Sequence, residues 1–268
     1  MPTMDTLCEP GPLIRQVRNR LVRERPEVPG SVLDECVQEA WSRFEHARVQ
    51  AFVPVLVERA VRGRIGRLAD ASAVPLDEVS LRTWSWLTAR RLLAGELPRR
   101  WAHVRGVARR AEQIASAFPP REAEVLVASA WLHDIGYAST LAGTGLHQLD
   151  GARFLVACGV PFRVCALVAH HAGAAAVAEL VGLADELSVF EDERGPVRDA
   201  LWYCDMTTGP DGRRMTFDER MAELRQRRSA DDPVVRALAV NGTERAAAVR
   251  RTQERLRREG HSRGVTPW

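Results

Sequence analysis

The run VLVASAWL, residues 125–132, is apolar on nearly every side of a helix and ends in His133 and Asp134. A helix with no polar face to offer water belongs at the centre of its domain, with other elements packed around it. The same run sets a condition on what surrounds its end. An ionised carboxylate left alone in an apolar interior is costly, so Asp134 needs a cation, a metal or hydrogen-bond donors. Adjacent helical side chains diverge by about 100°, so His133 and Asp134 can flank one point only at a helix end or a cavity.

Apolar residues at helical spacing recur along the rest of the chain, and no convincing period-2 strand or internal repeat interrupts them, so the fold class is all-α. Leu13, Ile14, Val17, Leu21 and Val22 form a first stripe, with arginines at 15, 18, 20, 23 and 25 outside it. Ser31 reads as the N-cap of a second helix with Asp34 at the capping-box position, and its stripe is Val32, Leu33, Cys36, Val37, Ala40, Trp41 and Phe44. Pro54 sits in the first turn of a third helix, followed by Leu56, Val57, Ala60, Val61, Ile65 and Leu68. Three helices of this size have a small core, so part of these faces is expected to be buried against a second copy or the rest of the chain.

Further helices are predicted at 80–94, 99–118, 121–135, 149–158, 161–171, 175–189, 196–207, 216–228 and 233–257. The expected organisation is a three-helix module at 1–68, a linker at 69–79, a domain at 80–210 carrying the site, and C-terminal helices at 211–268 packing on that domain.

Charge and cysteine usage narrow the classes. The 38 basic residues, all arginine, nearly balance 35 acidic ones, for a net charge of +3 among 268 residues. That balance argues against a dedicated nucleic-acid or membrane face, and the arginines of 15–25 and 245–258 lack interleaved aromatics and read as solvated faces. Cys8, Cys36, Cys158, Cys165 and Cys204 are odd in number with no CxxC pair, which predicts reduced thiols rather than a disulfide framework. The start, MPTMDTLCEPG, lacks a leader pattern, and no segment approaches the roughly 18 uninterrupted apolar residues of a membrane span. A cytoplasmic protein is the expectation.

Partners for His133 and Asp134 recur in similar settings. His103 lies in RRWAHVRGVARRAEQIA, and Asp205 lies in ALWYCDMTTG at the end of an apolar helix. Two imidazoles and two carboxylates make a mixed nitrogen and oxygen set suited to a divalent Zn, Mn, Fe, Ni or Mg ion with positions left open.

The order His103, His133-Asp134, Asp205 on helices, with WL before the pair and IG after it, resembles the HD-domain phosphohydrolase superfamily over residues 80–210. The resemblance implies an all-α HD bundle in which those four residues hold a divalent ion, with Asp134 and His133 at the catalytic centre. Tyr137 departs from it, since many members have lysine there. A phosphate-binding cation is then expected from elsewhere, with Arg105 and Arg109 as candidates.

His147 and the pair His170-His171 extend the order to that of binuclear members, by which His147 and one of His170 or His171 would hold a second ion bridged by Asp134. His170 is taken as the ligand and His171, with Tyr137, as substrate-binding; one ion or two stays open. The phrase RVQAFVPVLVERAVR at 48–62 resembles small three-helix dimerisation modules of bacterial proteins, which implies a homodimer.

Plainer readings stand beside these. A single histidine on an apolar face is more often a satisfied core residue than a ligand. His147 could cap a helix near Leu149, and His171 could be exposed. Thr207–Gly212 is first of all a turn, and as a loop at the mouth of the site it would offer hydroxyl or backbone donors to phosphate. The expected function is metal-dependent hydrolysis of a phosphoester or phosphoanhydride bond in a nucleotide-like small molecule. The alternative is a non-catalytic HD fold that senses a ligand or acts as a scaffold.

Overall fold

The structure, a computed structural model, describes residues 11–44, 46–47, 49–70 and 74–262. Cys8, Arg48 and the middle of the expected linker, residues 71–73, lie outside the described residues. The chain divides into two compact units, Met1–Val74 and Pro75–Trp268. Among the described residues there are only helices, turns and one isolated bridge, Thr208 with Arg214.

The first unit holds α1 (Pro12–Glu24), α2 (Gly30–Phe44) and α3 (Val53–Asp70), each packed on the other two. Ile14, Val17 and Leu21 meet Val32, Leu33, Cys36, Val37 and Ala40 with Val53, Val57, Val61 and Ile65 in one buried core. Two expectations are corrected. Ser31 lies inside the first turn of α2, because the helix already starts at Gly30, and Asp34 is turned outward to accept two hydrogen bonds from Arg18 at 2.7 and 3.1 Å. Leu13 and Leu56, at the edges of their stripes, are exposed, as are Val49, Phe52 and Val55.

The second unit is built from α4 (Leu81–Leu93), α5 (Pro98–Ile114), α6 (Pro120–Leu132), α7 (His147–Ala157), α8 (Phe162–His170), α9 (Ala174–Val181), α10 (Ala184–Ser188), α11 (Pro196–Met206), α12 (Phe217–Arg227) and α13 (Pro233–Ser262). Local chemistry explains many of the boundaries. Proline occupies the first turn of α5, α6 and α11, where its missing N–H costs nothing. The Ser80 hydroxyl caps α4 through the Thr83 N–H, and Thr216 with Glu219 forms a full capping box on α12.

As its apolar circumference requires, α6 is central: it packs on α4, α5, α8 and α11, and every residue from Leu126 to Leu132 is buried. It ends at Leu132 rather than 135, giving way to a single 3₁₀ turn at Ile135–Tyr137. The helix expected at 175–189 is two, because Gly182 takes a left-handed conformation at φ 76° and closes α9. Phe162–Val181 has the length and apolar composition of a membrane span, with a mean hydropathy of 1.6. Here it is mostly buried within this unit, and it is bent where Ala172 and Gly173 adopt positive φ.

Candidate metal centre

Three helix ends and the side of a fourth helix converge on one point. His133 is the C-cap of α6, and Asp134 is the next residue, with φ −108° and ψ 9°. His171 follows the last residue of α8, Asp205 is the penultimate residue of α11, and His103 reaches in from the side of α5. Three helix C-termini, those of α6, α8 and α11, therefore meet here. Each carries the negative end of a helix dipole, so the point attracts a cation before any side chain is counted. His147, the first residue of α7, completes the cluster.

The two oxygens of Asp134 face different histidines. Oδ2 lies 3.3 Å from His133 Nε2 and 3.7 Å from His103 Nε2, while Oδ1 lies 3.1 Å from His147 Nε2 and 3.5 Å from His171 Nε2. Asp205 Oδ1 stands 3.0 Å from His103 Nε2. Two sets of ligand atoms are close enough to share an ion: His103, His133 and Asp205, and His133, Asp134 and His171.

The tautomers test whether these residues suit a cation. His103 Nδ1 is 3.0 Å from the Gly209 carbonyl, His133 Nδ1 is 2.9 Å from that of Ala130, and His171 Nδ1 is 2.7 Å from that of Val168. A neutral imidazole has one N–H, and each of these rings spends it on a carbonyl. Every Nε2 then turns a bare lone pair toward a carboxylate. The buried His133 Nε2 has no hydrogen-bond partner at all. Lone pairs facing carboxylate oxygens at 3.0–3.5 Å repel unless a cation or an added proton lies between them. A backbone carbonyl accepting Nδ1–H is the arrangement that fixes a metal-ligating histidine. The donor set fits a divalent ion.

The electrostatics agree. Burial alone would push the Asp134 carboxyl up, yet the Arg100 guanidinium and the His133 ring hold it well below the usual carboxylate range. Asp205 is likewise held down against burial, with the His103 and His133 rings and Arg220 beside it. Burial lowers His103 and takes His147 down to about 4, so both remain neutral and able to ligate at neutral pH. For His133 burial acts the same way, but the adjacent Asp134 charge outweighs it and raises its pKa, so a proton competes with a cation for this ring.

Several expected residues land elsewhere. His170 is buried but turned away: its Nε2–H donates to the Phe190 carbonyl at 2.7 Å, and its backbone oxygen accepts from Trp202. Because α8 stops at His170, it is the next residue, His171, that swings into the cluster, and it is buried rather than exposed. His147 is not a cap, since α7 begins with it; its ring stacks on Tyr137 at 3.8 Å. The Thr207 and Thr208 hydroxyls donate to the α11 carbonyls of Tyr203 and Cys204, which withdraws them from any phosphate. The loop does hold His103 through Gly209, and its Pro210 lines the adjoining cleft.

That cleft, about 320 Å³, opens beside His103 and Tyr137. Arg105 and Arg109 do not line it. They are two and six positions beyond His103 on α5, which turns them onto other faces; Arg109 is exposed and Arg105 lies toward Trp101. The arginines that do line it are Arg99, Arg100, Arg220 and Arg227. Arg100 lies three residues before His103, so helical spacing alone could have singled it out. Its Nη1 donates to Asp134 Oδ2 at 2.6 Å, and its guanidinium lies 3.9 Å over the Tyr137 ring. Arg220 is buried, 3.8 Å from Asp205.

No curated protein and no solved structure matches the chain significantly. The family model of the HD domain matches residues 100–194. HD domains are typically metal-dependent hydrolases, and the matched span holds every histidine of the cluster together with Asp134, leaving Asp205 and the arginines of α12 beyond it. By that match, residues 100–194 of this all-helical unit resemble an HD domain, with the His133-Asp134 pair closing its central helix.

Proposed function

We propose that the protein is a metal-dependent phosphohydrolase that cleaves a phosphoester or phosphoanhydride bond of a nucleotide-like small molecule. The observation that carries this reading is the orientation of His103, His133 and His171, all spending Nδ1–H on a carbonyl and aiming Nε2 at Asp134 and Asp205 beside an arginine-lined cleft. His103, His133, Asp134 and Asp205 would hold one ion; His147 and His171, on the other side of Asp134, are the residues for a second. A divalent ion of this kind supplies Lewis acidity toward a phosphoryl group and makes water a usable nucleophile at neutral pH.

The chain's own groups supply the rest. Asp134, kept ionised, presents one oxygen to each pair of histidines. Arg100 holds that carboxylate in place and stacks on Tyr137, which in turn stacks on His147, so three side chains fix one edge of the site. The guanidiniums of the cleft are matched to phosphate oxygens and draw an anionic substrate toward Asp205.

The test is elemental analysis of the purified protein together with hydrolysis of a nucleotide panel in added Mn. Expected are one or two divalent ions per chain and turnover that disappears in Asp134→Ala. A chain without metal and without Asp134-dependent turnover overturns the reading. Metal present with tight nucleotide binding and no product would favour the ligand-sensing alternative.

A further inference from the structure

The helix α12 lies outside the span matched to the family, yet it faces the cleft with two arginines, of which only Arg220 approaches a candidate metal ligand. Arg220 and Arg227 are seven residues apart, two turns on one face, so their Cα atoms are separated by about 10 Å along the helix axis. Arg220 marks the near end, 3.8 Å from Asp205. Arg227 marks the far end. A single carboxylate, Glu223, serves both: its Oε2 accepts from Arg220 Nη1 at 2.5 Å and its Oε1 pairs with Arg227 Nε at 3.0 Å. Glu223 is thus shared by two guanidiniums, Arg220 has Asp205 as a second, more distant carboxylate, and Arg220 Nε is buried without a hydrogen-bond partner. The charge of Arg100 is already committed to Asp134. Arg227, with its side chain still 32% exposed, is also crowded by Arg220, Arg100 and Arg228, which together with burial pulls its pKa below the usual arginine value.

From this juxtaposition we propose that α12 forms a second anion subsite, in which Arg220 and Arg227 bind a phosphate remote from the one hydrolysed, so that the substrate is a small molecule carrying two or more phosphate groups in series. This rests on the phosphohydrolase reading for the reacting phosphoryl group; the subsite itself does not need turnover. An oligophosphate fits the cleft better than a monophosphate because its two ends can meet different cations. The near phosphate meets the metal centre and Arg220, and the far one meets Arg227, which is free of direct duty to Asp134 or Asp205. Arg227 is a specificity-determining residue in this scheme, not a catalytic one.

Calorimetric titration of the full chain with inorganic orthophosphate and tripolyphosphate tests it, using wild type, Arg227→Gln, Arg227→Lys and, as a control, Arg225→Gln on an exposed face of the same helix. Arg227→Gln should weaken tripolyphosphate about tenfold, the size of one lost charge-assisted contact, and orthophosphate less than twofold. Arg227→Lys should recover part of the loss, and Arg225→Gln should bind like wild type. Equal weakening of both anions, a matching loss in Arg225→Gln, or no tripolyphosphate binding by the wild type would each overturn the proposal. If the chain proves to lack metal or turnover while Arg227-dependent tripolyphosphate binding persists, the phosphohydrolase reading falls and the anion subsite stands.

Discussion

His170 and His171 are neighbours in sequence with opposite surroundings. His171 spends Nδ1–H on Val168 and aims Nε2 at Asp134, whereas His170 spends Nε2–H on Phe190. Replacing each with alanine separates the two roles. His171→Ala should lower metal content, read by mass spectrometry of the dialysed protein, with metal affinity falling at least 10- to 100-fold, the cost typical of losing even an outer partner of a ligand. His170→Ala should keep its metal and instead lose about 1–3 kcal/mol of stability in urea, since a buried carbonyl is left unpaired and a void opens. The reverse pattern would assign the ligand to His170. Composition and order marked both residues as candidates. Which of them enters the site depends on α8 stopping at His170, and the HHAG stretch has no proline or capping pattern to announce a stop at that residue.

Elements set the site as much as residues do. The turn Ile135–Tyr137 packs so tightly on the start of α7 that a Cβ built on Gly136 would lie 1.9 Å from the His147 carbonyl oxygen and 2.7 Å from the Gly151 nitrogen, both backbone atoms with nowhere to go. Gly136→Ala should therefore force α7 away, costing about 1–3 kcal/mol as overpacking does and displacing His147 from Asp134. Chemical denaturation and metal content should both change. Loss of stability with metal retained at wild-type affinity would show that His147 is not a ligand.

At this scale the sequence was legible where local chemistry decides: the apolar circumference of α6 predicted a central helix, and Pro54 marked the first turn of α3. It was not legible where tertiary approach decides. Nothing in FDERMAELRQR says that Arg220 reaches Asp205, because their separation of 15 residues is closed by the turn after α11 rather than by helical period. Arg100 is the opposite case, a same-face neighbour of His103 hidden by the arginines around it.

For the molecule as a whole, pH and metal should act through the same groups. His147 has a folded pKa of about 4 against an ordinary value of 6.5 because burial disfavours its charged form, and His103 is lowered for the same reason. Between those values the unfolded chain binds protons that the folded chain refuses, so these two histidines withdraw stability as pH falls through 6.5 toward 4. Asp134 and Asp205, held below 3.8, contribute stability that is lost only under stronger acid. His133 runs the other way: raised above 6.5, it contributes in the metal-free state below that pH and loses the contribution as pH rises through its folded value.

A bound cation replaces the His133 proton and requires every ligating Nε2 to be bare. Metal binding therefore competes with protons, and its stabilisation grows with the occupancy of the folded state. Thermal unfolding with and without chelator should show a gain in Tm on adding Mn at pH 7.5 that shrinks markedly by pH 5, and Asp134→Ala should show little gain at either pH. A metal-dependent gain of equal size at both values would mean that the ion sits on groups other than these histidines.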